Sequence, residues 1–202
     1  PQGALVILSL LLKQKGQFFK SQSNVIFDTA SGFYKTKGEV KAIANYILAM
    51  LSEVDSSLFT DNVFDDLFDV LRKPDEEYLS KYTDSMVLLI NNISPEKFNG
   101  KENQIYLFIS DVMKFKKSNV TAAVFSVLRA LLDKIPDILR KIDLWSIISH
   151  FLFTSDFSEL FPEFEKKIPD FWIRYSNDIC DRVITILNDQ KSSHYYKMNA
   201  VK

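Results

Sequence analysis

The sequence predicts an all-α fold, and three observations lead to this prediction. Apolar residues recur at spacings of three and four along most of the chain, which is the period of one helix face. No segment of useful length alternates apolar and polar residues, as a half-buried strand would. Glycine is scarce, with 5 among 202 residues, and no glycine-rich phosphate loop is present.

The first predicted helices lie between residues 24 and 93. A short helix is expected around Asn24 to Ser31, within a less regular stretch from Gly16 to Gly38. Three apolar stripes follow, at residues 40–51, 63–71 and 79–93. Acidic residues in the segment Pro74-Asp75-Glu76-Glu77 favour a helix start before the third stripe, because negative charge is stabilising at the positive end of the helix dipole.

The second half of the chain has the same pattern, with stripes at residues 105–113, 120–132 and 172–187. The stripe from Val120 to Leu132 leads into Ile135-Pro136, where a new helix is expected. Asp156 and Glu159 have the spacing of a capping box, which predicts another helix start. Short connections favour antiparallel neighbours. We therefore predict helical hairpins stacked as a short α-solenoid or as an irregular bundle.

A partial internal repeat accompanies these helices. The segments Ile135-Pro136-Asp137-Ile138 and Phe161-Pro162-Glu163-Phe164 each precede two basic residues and a tryptophan. This repetition predicts two similar proline corners between helices. Because the chain does not begin with methionine, we expect residues 1–202 to be one helical-repeat-like domain of a longer protein.

Composition and charge limit which partners and which cellular compartment we expect for this chain. The net charge of −1 provides no overall field for nucleic acid. Lysines predominate in residues 1–41 and acidic residues in 52–84, which we interpret as solvated faces. The longest apolar run, Ala4 to Leu12, is shorter than the roughly 20 residues that span a bilayer, so no membrane span is expected. A single cysteine, Cys180, fits a reducing compartment, and we expect a cytoplasmic or nuclear protein.

No arrangement of residues indicates catalysis or a metal site. His150 and His194 lie far apart in the sequence, and neither has a second ligand one helical turn away. Cys180 lies at helical spacing from apolar residues, so a buried, inert thiol is expected. We therefore predict no enzyme activity, no catalytic residue, no cofactor and no metal.

Two charged clusters are the candidate partner-binding residues. The first is a group of aspartates on a predicted helix, on which Asp61, Asp65 and Asp69 share one face: Asp61, Asp65, Asp66 and Asp69. The second is a group of three lysines: Lys114, Lys116 and Lys117. A solvated face is the simpler interpretation of each cluster. The alternatives are a docking surface for a basic protein at the aspartates and a nucleic-acid surface at the lysines.

Two segments resemble known helical repeats. The sequence LLDKIPDIL at residues 131–139 resembles the proline-marked first helix of HEAT and armadillo-type repeats. The sequence LINNISPEKF at residues 89–98 resembles the opening helix of MIF4G domains, which are HEAT-like modules of translation and RNA-processing factors. These resemblances imply a non-catalytic helical scaffold in a larger eukaryotic protein.

The leading hypothesis is therefore a module for protein–protein interaction within an intracellular protein. The alternative is a MIF4G-like module that binds RNA or ribonucleoprotein through its lysine patches. An enzyme with an all-α active site is the least favoured hypothesis, since only the aspartate cluster would support it.

Overall fold

The computed structural model describes residues 2–152 and 154–189. These residues form eleven α-helices, and they include no strand. The all-α prediction is therefore confirmed. The chain divides into two compact units, residues 1–130 and 131–202, and the boundary lies inside the seventh helix. The expectation of one domain from a longer protein stays a prediction.

Seven helices begin in the first unit. They are α1 (Gln2–Lys15), α2 (Ser23–Ser31), α3 (Gly38–Val54), α4 (Asp61–Leu71), α5 (Leu79–Asn92), α6 (Glu102–Met113) and α7 (Val120–Lys134). Short 3-10 helices occur at Gly16–Gln22, Ser56–Leu58, Glu76–Tyr78 and Pro95–Phe98. The predicted helix around Asn24 and the apolar stripes from residue 40 to residue 132 coincide with α2 to α7, whereas α1 has no predicted counterpart.

Helix α3 is the centre of the first unit. Every side chain from Ala42 to Ser52 is buried, because α1, α2, α5 and the 3-10 helix Gly16–Gln22 pack around α3. The buried Asn45 donates hydrogen bonds from Nδ2 to the carbonyl oxygens of Tyr34 (3.2 Å) and Lys41 (2.8 Å). The bond to Tyr34 holds the turn after α2 against α3, whereas the bond to Lys41 lies within α3.

Helix α4 is fixed by a cluster of three phenylalanines. Phe64 and Phe68 lie on its inner face, and Phe98 comes from the 3-10 helix before α6. The ring centroid of Phe98 lies 5.0 Å from that of Phe64 and 6.0 Å from that of Phe68, both in edge-to-face geometry. All three rings are at most 1% exposed. Burial of this face leaves the opposite face of α4 in solvent.

The second unit contains the end of α7 and four further helices. They are α8 (Pro136–Lys141), α9 (Leu144–Ile148), α10 (Ser155–Lys167) and α11 (Phe171–Asn188). Helices α10 and α11 pack together through aromatic rings. The ring centroids of Phe161 on α10 and Trp172 on α11 lie 4.4 Å apart. Tyr175 of α11 also stacks on Trp145 of α9, with centroids 5.8 Å apart.

The prediction of two similar proline corners is wrong. Pro136 is the first residue of α8, as expected, but Pro162 lies inside α10. The inner face of α10 explains this difference, because Phe157, Leu160 and Phe164 are buried at spacings of three and four. Burial of that stripe keeps the helix continuous through the proline.

Helix α10 also begins with a different cap from the predicted one. The N-cap residue is Thr154 rather than Asp156, and its Oγ1 accepts a hydrogen bond from the amide of Phe157 at 3.3 Å. A threonine at this position satisfies one of the unpaired amides of the first turn.

The expected burial of Cys180 is wrong as well. Its side chain is exposed, because α11 buries the face that carries Phe171, Tyr175 and Ile186. His150 is also exposed, with Nδ1 2.9 Å from the carbonyl oxygen of Ser146. His194 lies outside the described residues. None of the described helices has the length and apolar character that crossing a bilayer requires.

Candidate functional site

The four predicted aspartates lie together on the solvent face of α4, and each of them has an intramolecular cationic partner. The ion pairs are Asp61 with Lys97 (2.7 Å), Asp65 with Lys101 (2.8 Å), Asp66 with Lys35 (3.0 Å) and Asp69 with Arg72 (3.1 Å). The carboxylates remain 55% to 87% exposed. The cluster is therefore not a bare acidic surface, because the paired lysine and arginine side chains already neutralise much of its negative charge.

Two of these cations come from the segment that precedes α6. Burial of Phe98 holds this segment against α4, which places Lys97 and Lys101 beside the aspartates. The Lys97 ammonium also donates a hydrogen bond to the carbonyl oxygen of Phe59 at 2.7 Å. No sequence signal identified these lysines, because they lie more than thirty residues from their partners.

The ion pairs shift the acidity of two aspartates. The hydrogen bond from the Lys97 ammonium lowers the pKa of Asp61 below its usual 3.8. The hydrogen bond from Lys35 does the same to the pKa of Asp66, with a further contribution from the Tyr34 hydroxyl at 3.2 Å. Both carboxylates are therefore ionised at neutral pH. Exposed pairs of this kind exchange readily with other cations, since water screens them.

An apolar slot of about 230 Å³ opens on one side of α4. It is lined by Phe27, Ser31, Tyr34, Leu48, Val63, Asp66 and Leu67, which come from α2, the turn after α2, α3 and α4. The ring of Phe27 is held by an edge-to-face contact with Phe59 at 5.9 Å. Asp66 and Tyr34 bring polar atoms to a lining that is otherwise mostly apolar.

A charged depression of about 340 Å³ lies on the opposite side of α4. It is lined by Asp61, Phe64, Asp65, Glu96, Lys97, Asn99 and Lys101. Its lining contains both acidic and basic groups, and most of them are already in ion pairs. In residues 2–152 and 154–189, no group of three or more histidine, cysteine or carboxylate side chains could hold a metal ion.

The three predicted lysines lie at and after the end of α6, next to acidic residues. Lys114 pairs with Asp111 at 2.6 Å. The amide of Lys116 donates to Oε1 of Glu76 at 2.7 Å, and the Lys117 ammonium donates to the carbonyl oxygen of Glu77 at 3.0 Å. The contacts of Lys116 and Lys117 join the segment after α6 to the 3-10 helix before α5. The local positive potential is correspondingly reduced.

No protein-family model, no curated protein and no solved structure matches this chain. The packed helices are compatible with a helical repeat, but the resemblances to HEAT, armadillo and MIF4G sequences stay predictions.

Proposed function

We propose that this chain is a non-catalytic protein-interaction module and that it binds a peptide segment of its partner at the apolar slot beside α4. The observation that supports this proposal most strongly is the lining of the slot. Side chains of Phe27, Leu48, Val63 and Leu67 form an apolar recess that the rest of the unit does not fill. Pockets of this kind receive the central apolar residues of protein interfaces.

The volume of the slot favours a side chain over a cofactor or a small substrate. Small-molecule sites usually enclose roughly 300–1,000 Å³, and the slot encloses about 230 Å³. One large aliphatic or aromatic side chain is the appropriate occupant. The rest of the peptide would then lie over the exposed face of α4.

Charge at the edge of the slot defines the second feature of the ligand. The side chain of Asp66 is 63% exposed, and that of its partner Lys35 is 60% exposed. A cation of the ligand can therefore replace the Lys35 ammonium, since exposed ion pairs are weak. We infer that the preferred peptide has a lysine or arginine next to its large apolar residue.

A selection from a displayed library of random peptides tests this proposal. Ser31 lines the slot, so Ser31→Phe would fill it, whereas Ser31→Ala is the matched control that leaves it open. Selected peptides should contain one large apolar residue and a basic residue. They should bind the Ser31→Ala variant as tightly as the wild type, and their affinity for the Ser31→Phe variant should be at least about tenfold lower. Equal binding to both variants would refute the assignment of the slot.

The RNA-binding alternative rests on Lys114, Lys116 and Lys117. Their acidic neighbours make it the weaker hypothesis, and it stays a prediction. A titration with generic single-stranded RNA at low and high salt separates the two functions, because phosphate contacts weaken steeply as salt rises. Salt-sensitive binding that is lost when these lysines are replaced would favour the RNA function. The placement of the module in a larger intracellular eukaryotic protein also belongs to the proposal and rests on the sequence resemblances.

A further inference from the structure

Helix α1 has apolar side chains on both of its faces. Its inner face packs against α3 and buries Leu5 and Leu12, which are 3% and 4% exposed. On its outer face, Ile7 is 61%, Leu10 55% and Leu11 44% exposed. These three residues are neighbours on one helical stripe. A contiguous exposed patch of large aliphatic side chains usually marks a contact surface.

The outer stripe of α1 ends in a basic and aromatic group. Lys15 follows Leu11 by one helical turn, and its ammonium lies 5.9 Å from the ring centroid of Phe18. The Phe18 side chain is 80% exposed. We call this surface the α1 ridge, defined by Ile7, Leu10, Leu11, Lys15 and Phe18. Apolar residues thus lie along the helix, and a cation and an aromatic ring lie at its end.

The lysines around this end of α1 differ from those around α4 in whether they form ion pairs. Lys35, Lys97 and Lys101 each form an ion pair with an aspartate of α4. In contrast, the exposed residues Lys13, Lys15 and Lys20 form no ion pair with any carboxylate of the described residues.

Glu53, Asp55 and Asp84 lie near this end of α1. Burial raises the pKa of Asp84, and the nearby Lys81 and Lys13 offset part of this rise. The hydrogen bond from the Ser57 hydroxyl lowers the pKa of Asp55, with a smaller contribution from Lys20. Helix α1 itself contains no acidic residue. At the other end of the helix, Gln2 donates a hydrogen bond to Glu39. Three exposed lysines that form no ion pair with a described carboxylate therefore lie where the apolar stripe ends.

We propose that the α1 ridge docks this chain on the surface of a bilayer that contains anionic lipid. Aliphatic side chains on the outside of a helix can enter the boundary between head groups and acyl chains, and a phenylalanine strengthens such binding. Unpaired lysines beside them are complementary to anionic head groups. A lipid surface needs no matching groove, which suits a ridge on the outside of a helix. This contact uses a different surface from the peptide slot and does not depend on it.

Co-sedimentation of the full chain with lipid vesicles tests this inference. One set of vesicles contains phosphatidylcholine alone, and the other contains phosphatidylcholine with phosphatidylserine. The chain should partition at least about tenfold more strongly to the vesicles with phosphatidylserine, and high salt should remove this difference. Two double variants should each reduce binding to these vesicles by about tenfold: Ile7→Gln with Leu11→Gln, and Lys15→Gln with Lys20→Gln.

The matched control is Val25→Gln, because Val25 is a similarly exposed aliphatic residue on α2 at 68% exposure. This variant should bind like the wild type, and circular dichroism should show that all variants keep their helices. Equal partitioning to both kinds of vesicle, or an equal loss with Val25→Gln, would overturn the inference. The inference would also be overturned if the wild type did not bind vesicles while a ridge variant changed self-association or protein binding. That result would favour a protein partner.

Discussion

The Lys97 ammonium lies 2.7 Å from Oδ1 of Asp61 and 2.7 Å from the carbonyl oxygen of Phe59. One side chain from the 3-10 helix before α6 therefore connects to both the start of α4 and the segment in front of it. The Lys97 side chain is 26% exposed, whereas that of Asp61 is 87% exposed. The two bonds of Lys97 should consequently differ in their importance.

Replacement of Lys97 by methionine is expected to lower the free energy of unfolding by about 1–2 kcal/mol, because the carbonyl of Phe59 loses its donor in a partly buried position. Asp61→Asn should have a much smaller effect, since water replaces an exposed partner. Urea unfolding of both variants at neutral pH checks this difference. An equal loss for both variants would mean that the ion pair, rather than the carbonyl bond, provides the stabilisation.

Acid should weaken the contact between the turn after α2 and α4. The pKa of Asp66 is lowered from 3.8 in the folded chain by Lys35 and Tyr34. A lowered carboxyl pKa stabilises the folded state above pH 3.8, and this stabilisation is lost as the pH falls through the lowered value. The stability difference between wild type and Lys35→Met should therefore shrink below pH 3.8. A difference that stays constant through acid unfolding would contradict the ion pair.

Alkaline pH should destabilise the fold through Tyr82. Burial raises the pKa of Tyr82 from 10.0 to about 12, with a smaller contribution from Asp75. A raised tyrosine pKa means that stability is complete below pH 10.0 and falls as the pH rises from 10.0 towards about 12. Tyr82→Phe removes this titration, so the variant should lose less stability over that range. Chemical unfolding at several alkaline pH values measures this difference, and parallel curves for wild type and variant would contradict it.

Pro162 should be a local weak point of the second unit. It lies inside α10, where a proline lacks the amide hydrogen for the helix bond and crowds the carbonyl of the preceding turn. Pro162→Ala is expected to stabilise this unit by about 1–3 kcal/mol. Tryptophan fluorescence is a suitable probe, because the chain contains 2 tryptophans, and Trp145 and Trp172 both belong to this unit. A lower unfolding midpoint for the variant would contradict the expected gain.

Helix α4 could be predicted from the sequence because it is apolar on one face and polar on the other. In α4 the apolar residues Phe64, Leu67, Phe68 and Leu71 are all buried, so their spacing alone indicated the helix. Helix α1 has apolar residues on both faces, and this lack of contrast removes the periodic signal. Helix α10 continues through Pro162, against the sequence prediction, because tertiary burial of its apolar stripe outweighs the local preference of proline.

The candidate site could be predicted only in part. The spacing of Asp61, Asp65 and Asp69 correctly placed them on the solvent face of α4. The lysine partners of Asp61 and Asp65, however, come from a segment more than thirty residues away, and folding alone brings them together. The apolar slot likewise combines residues from three helices and one turn. No local pattern in any one segment could indicate that their side chains enclose a common recess.

The most direct test of the proposed function is a titration of the isotope-labelled chain with a selected peptide, followed by nuclear magnetic resonance of the backbone amides. The proposal predicts that the amides of Phe27, Ser31, Val63 and Leu67 shift first and saturate together. It also predicts that Ser31→Phe abolishes these shifts at the same peptide concentration. Shifts centred on another surface, such as α6 or α11, with the slot amides unchanged, would contradict the proposal.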